Sequence, residues 1–122
     1  MATTFVGEGH TLEYSNTGSA ISAGAVVVMT NIIGIAETNI AATTGVGSVA
    51  IRGRWTVPKT TGAAWTQGMQ LTYDVSTSKF DTPANLTEAT GDVLLCAVAA
   101  KAAASGDTTG EVLINVVGSA IQ

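Results

Sequence analysis

Strict alternation is the feature that most limits what this chain can fold into. From Ser48 to Val57, the residues Val49, Ile51, Gly53, Trp55 and Val57 share one face of an extended chain, opposite Ala50, Arg52, Arg54 and Thr56. From Met69 to Val75, Met69, Leu71, Tyr73 and Val75 lie opposite Gln70, Thr72 and Asp74. A period of two is the period of a half-buried β-strand, so both segments are predicted to be strands. Further strands are predicted at Thr11–Ser15, Ala25–Thr30, Ile32–Glu37, Val93–Ala99 and Glu111–Val117, where β-branched and aliphatic residues gather. Thr3–Val6 is predicted to add a short N-terminal strand or an arm. Between these runs lie turn clusters such as Asn16-Thr17-Gly18-Ser19 and Ser105-Gly106-Asp107. There glycine supplies positive φ and short polar side chains bond to nearby backbone. Pro58 is placed to end a strand and Pro83 to sit in the Ser76–Gly91 loop. The pattern predicts an all-β fold, a small β-barrel or β-sandwich of about seven or eight short antiparallel strands.

One segment pulls the other way. Ala97 to Ala104 is rich in alanine and has high helix propensity. It is under three turns long, lacks an N-cap residue and follows Val93-Leu94-Leu95, so a strand followed by a loose turn is preferred over a short helix.

At 122 residues the chain suits one domain spanning 1–122, with residues 1–6 as an N-terminal arm. Ala, Thr, Gly and Val make up more than half of it, and the aromatics number six. Such side chains fill little volume each, so a thin core that gains from a partner subunit is expected. The apolar fraction of 46% with only 11% charged residues excludes disorder. No apolar run approaches the roughly 20 residues of a membrane helix, and the opening Met-Ala-Thr-Thr-Phe-Val does not read as a signal peptide. No membrane partner is therefore expected. The net charge of −4 argues against nucleic acid, whose phosphates demand a basic face. Charge is unevenly distributed: residues 1–51 hold Glu8, Glu13 and Glu37 and no Lys or Arg.

Candidate chemistry is sparse. His10, the lone histidine, has no nucleophile or metal partner at a recognisable spacing and reads as structural or exposed. Cys96, in the Val93–Ala99 strand, reads as a small buried hydrophobe. Asp74, Asp81, Glu88 and Asp92 lack the alternating spacing of a calcium loop. Lys59-Thr60 follows Val57-Pro58 and not glycine, so the Walker pattern is missing and an ATPase is excluded. No catalytic, cofactor or metal site is predicted. Trp55 belongs to the apolar strand face, whereas Trp65, in a loop, can seal a core edge or anchor an interface.

The stretch Gly53-Arg54-Trp55-Thr56-Val57-Pro58-Lys59, then Ala64-Trp65-Thr66-Gln67-Gly68, then Leu71-Thr72-Tyr73-Asp74, resembles a family of small tailed-phage and prophage proteins, the DUF2190 family of capsid cement or head decoration proteins. Phe5-Val6 through Gly9 and Leu12, Gly24 through Val28, and Val112-Leu113-Ile114-Asn115-Val116 extend the likeness over almost the whole chain. The Ser76–Glu88 loop is longer than the family pattern suggests.

The resemblance implies a structural virion protein, not an enzyme. It implies binding to the outer surface of a phage head, bridging of major capsid protein subunits, and a homo-oligomer such as a trimer on local threefold axes. It implies synthesis in the host cytoplasm. The contact residues expected are Ala2, Thr3, Thr4, Phe5 and Val6, in a segment without charge, together with Trp65. The principal rival is a carbohydrate- or receptor-binding module of a phage tail, which would need an exposed aromatic platform.

Overall fold

The computed structural model describes Thr3 and residues 7–116. Nine strands form among them, all paired antiparallel within two sheets, and none of these residues is helical. The first sheet holds β1 (Thr11–Ser15), β2 (Val26–Met29), β3 (Ile32–Ala36) and β4 (Val46–Ala50), in the order β1-β4-β3-β2. The second holds β5 (Arg54–Pro58), β6 (Gln70–Asp74), β7 (Lys79–Asp81), β8 (Val93–Ala99) and β9 (Thr109–Ile114), in the order β5-β9-β8-β6-β7. The chain thus builds one sheet and then the other.

The change of sheet falls inside the segment with the cleanest alternation. Ser48–Val57, predicted as one strand, is two: β4 ends at Ala50 and β5 begins at Arg54. Gly53, at φ +117°, turns the chain between them, a conformation that favours glycine. Alternation survived because both halves bury their odd residues, Val49 in one core and Val57 in the other. Strand β7 was not anticipated. Its three residues are held by pairing with β6, and three residues are too few to show a period. The predicted strand at Glu111–Val117 starts earlier, at Thr109, and stops at Ile114, since Asn115 takes φ +55°. The predicted element at Thr3–Val6 lies outside the described residues except for Thr3, which is in no strand.

The alanine run forms no helix. Its backbone is committed elsewhere: Ala99 N–H donates to Met69 C=O at 2.8 Å, Ala100 N–H to Glu111 C=O at 2.9 Å, and Ala103 N–H to Trp65 C=O at 3.1 Å. Cross-chain bonds of this kind outweigh a few tenths of a kcal/mol per residue of helix propensity.

Burial follows the register. In the first sheet Val26 pairs with Ile35 and Val28 with Ile33, and these four face the second sheet. There they meet Val57, Leu71, Tyr73, Phe80, Val112 and Ile114 in the larger core. The back of the first sheet has its own smaller core, Val27, Ala36, Ile40 and Val49. The arrangement is sandwich-like. The second sheet also curls until its outer strands meet, with Lys59 bridging Phe80 in parallel and Thr60 N–H donating to Phe80 C=O at 2.9 Å. That contact is one bridge and not a ladder, so a closed barrel is not formed.

Asn115 ties the two sheets together. Its Oδ1 accepts from Ile33 N–H at 3.0 Å, and its Nδ2 donates to Ile33 C=O and Ile51 C=O, both at 2.7 Å. One side chain thus supplies what a neighbouring strand would have given Ile33.

Candidate functional site

The polar residues that might carry chemistry are occupied with structure. His10 is exposed at a bend. Cys96 is buried, and burial pushes its thiol up to about 11, away from nucleophilic use. Asp81 is buried, its Oδ1 accepting from Thr82 N–H at 2.7 Å and its Oδ2 from Asn85 Nδ2 at 3.0 Å. Asp92 caps two backbone donors, Val75 N–H at 3.0 Å and Ala89 N–H at 2.9 Å. Ser76 Oγ donates to Asp74 Oδ1 at 2.7 Å and holds that carboxyl below the usual carboxylate range. No group of three or more His, Cys, Asp or Glu is gathered to hold a metal among the described residues.

Of the residues predicted to make contacts, Ala2, Thr4, Phe5 and Val6 lie outside the described residues, and Thr3 is exposed. Trp65 is 1% exposed, so the indole seals the core, the first of its two readings. It lies flat over Gly110 of β9, where any Cβ would run into the ring, while Lys59 Nζ sits 5.7 Å from the ring centre. Lys59 is itself buried and donates to Thr60 C=O at 3.0 Å. Trp65 therefore acts through rigidity. It closes the end of the curled sheet where the alternation of β5 carries Lys59 inward.

What remains for recognition is surface. At the start of β8, Leu94 and Leu95 are 46% and 41% exposed, in a bulge where the pairing with β6 shifts and Leu95 takes φ +54°. Bulges with a residue in this conformation re-aim side chains at a cost to the backbone. Val116, also exposed, lies at the same end of the sheet. Sequence reasoning did not anticipate this patch: Val93–Ala99 reads as a regular strand, and nothing in its pattern shows the bulge. The second free surface is β1, exposed at four of its five residues. A shallow groove of about 410 Å³ runs along it, lined by Thr11, Leu12, Glu13, Val46, Gly47 and Ser48. The signal for it was in the sequence, in the charge imbalance of residues 1–51.

Among the described residues the structure gathers no metal-binding cluster and leaves two surfaces exposed, at β1 and at the start of β8. Comparison with known families decides the family: the profile of the phage cement proteins matches residues 6–114. The chain belongs to the phage cement protein family. The match spans both sheets, from the segment before β1 to the last residue of β9, so the family is defined by the whole fold. No curated protein matches the chain. No solved structure matches it. Membership places the protein among phage structural components associated with the capsid.

Proposed function

We propose that this cement protein binds the outer surface of a phage head and bridges major capsid protein subunits, reinforcing the shell without catalysing a reaction. The observation that carries the reading is the family match over residues 6–114, on a chain whose titratable groups hold loops and cores. A cement function needs a stiff body and complementary surfaces, and each modest contact is multiplied when several subunits are engaged at once. The exposed Leu94, Leu95 and Val116 support a homo-oligomer, with a trimer as the symmetry that fits local threefold axes. The segment Ala2–Val6 is proposed as a further contact, entering the fold just before the free strand β1. A sugar-binding role is less well supported: Trp65 is buried, and Trp55 is half-buried with Nε1 donating to Arg52 C=O at 3.1 Å.

The test is co-sedimentation of the purified protein with undecorated heads of its phage, followed by heating of decorated and bare heads. Saturable binding at micromolar concentration and a higher temperature of DNA release are expected. Heads that bind nothing at that concentration would sink the proposal.

A further inference from the structure

Four strands end the two sheets. β5 and β7 touch at the single Lys59–Phe80 bridge. At the start of β2, Val26 lines a small cavity together with Pro58 and Tyr73. β1 has β4 on one side and no strand or bridge partner on the other among the described residues. Ile51 N–H donates to His10 C=O at 3.0 Å and Asn16 N–H to Gly45 C=O at 2.8 Å, which fixes the phase of the β1–β4 ladder. In an antiparallel pair bonded and non-bonded positions alternate. The even residues, Leu12 and Tyr14, therefore bond to β4. Thr11, Glu13 and Ser15 direct their N–H and C=O groups to the open side.

An edge like this invites another strand, and proteins usually block it with proline, inward charge or a covering loop. Among the described residues β1 has regular geometry and none of these devices. Resting on the cement reading, we infer that β1 is a docking strand that accepts an extended, Lys- or Arg-bearing segment of the capsid protein as an added antiparallel strand. Main-chain bonds from Thr11, Glu13 and Ser15 give the affinity, and side chains beside the strand give the choice of partner.

Charge selects the occupant. Glu13 sits across from Ser48, and Ser48 Oγ donates to Glu37 Oε1 at 2.6 Å, so two carboxylates lie along one row of the exposed face. Residues 7–51 carry Glu8 as well and no Lys or Arg to balance them. A second copy of β1 is the wrong partner: the antiparallel register that engages all three outward residues sets Glu13 against Glu13, and like charges directly opposite destabilise a sheet. A basic strand meets the opposite situation.

The geometry supplies its own test. Proline at position 13 removes an outward N–H and leaves the β1–β4 ladder whole, the one kind of site where a strand tolerates proline. Glu13→Pro should keep the fold by circular dichroism and weaken binding to undecorated heads by roughly tenfold or more, as expected for one or two lost main-chain bonds plus a lost ion pair. Glu13→Gln isolates the charge and should weaken binding by a smaller factor that fades as salt rises. On binding, the amides of Thr11, Glu13 and Ser15 should become protected from hydrogen exchange.

If wild type binds heads and Glu13→Pro binds equally well, the docking strand is refuted while the cement reading stands. If wild type itself fails to bind, it is the cement reading that falls. Protection of the three amides already in the free protein would show that residues 1–6 of the same chain cover the edge. Protection that rises with protein concentration alone would show self-pairing. Either result overturns the inference.

Discussion

The two sheets solve the same packing problem in opposite ways. The five-stranded sheet curls around large side chains, with Trp65, Leu71, Phe80 and Ile114 each at most 1% exposed, and its outer strands meet. The four-stranded sheet relies on close approach. Its back core is built from Val27, Ala36, Ile40 and Val49, and glycine is what lets the layers touch: a Cβ at Gly47 would stand 2.6 Å from Ile40 Cγ1, and one at Gly34 3.1 Å from Val49 Cβ. The first design yields a curled, stiff unit whose outer strands touch at one bridge. The second leaves an open strand and an acidic, uncovered face. The comparison teaches that a curled sheet around large side chains makes the rigid half, while close backbone approach leaves β1 unpaired on its outer side among the described residues.

The sharpest way to break that comparison is to hollow the stiff unit. Trp65→Ala removes the largest buried side chain, from a site shaped by Gly110, and should cost about 3–5 kcal/mol in urea unfolding. A loss below about 1 kcal/mol would mean that the second sheet is not the rigid half.

Cutting the tie between the halves comes next. Asn115→Ala leaves Ile33 N–H, Ile33 C=O and Ile51 C=O without the partner they have now, an expected loss of about 2–4 kcal/mol. Asn115→Gly tolerates the φ of +55° and should lose nearly as much. If glycine restores stability, backbone conformation and not the amide is what matters at this position.

In the four-stranded sheet, Gly47→Ala forces Ile40 to move and should cost about 1–3 kcal/mol. Calorimetry of this variant should show one transition if Asn115 couples the sheets, and two if it does not.

The smallest effect is a pH dependence confined to the second sheet. Burial raises the folded-state Cys96 thiol to about 11, so the folded protein holds this proton more tightly than the unfolded chain. Its contribution is fully present below the unfolded thiol's pKa and is lost as pH climbs toward about 11. Cys96→Ala should flatten that part of the stability–pH curve, and the native thiol should resist alkylation at pH 8. Rapid alkylation of the native protein would contradict its burial.

Much of this was legible in the sequence. Thr11–Ser15 and Val93–Ala99 were predicted with the bounds they have, and Met69–Val75 contains β6 with Leu71 and Tyr73 inward as expected. Cys96 was correctly read as buried. Other features were hidden for identifiable reasons. The exposure of Leu94 and Leu95 was not anticipated, because it depends on a bulge against β6. The burial of Lys59 was not anticipated, because lysine is seldom buried and only the Phe80 bridge and the Trp65 ring draw it inside. The candidate contact surface was half visible: the acidic bias of residues 1–51 was plain, but not that β1 would end a sheet.

By itself, then, the sequence determined that the fold would be all β, where most of the strands run and which of their residues face inward. These follow from side-chain period and backbone preference, which are local. Only the tertiary structure decided which strands pair, which sheet curls until its outer strands touch, and which strand is left unpaired on one side. Those outcomes rest on partners far apart in the chain, such as Asn115 and Ile33 at a separation of 82 residues, and no local pattern encodes them.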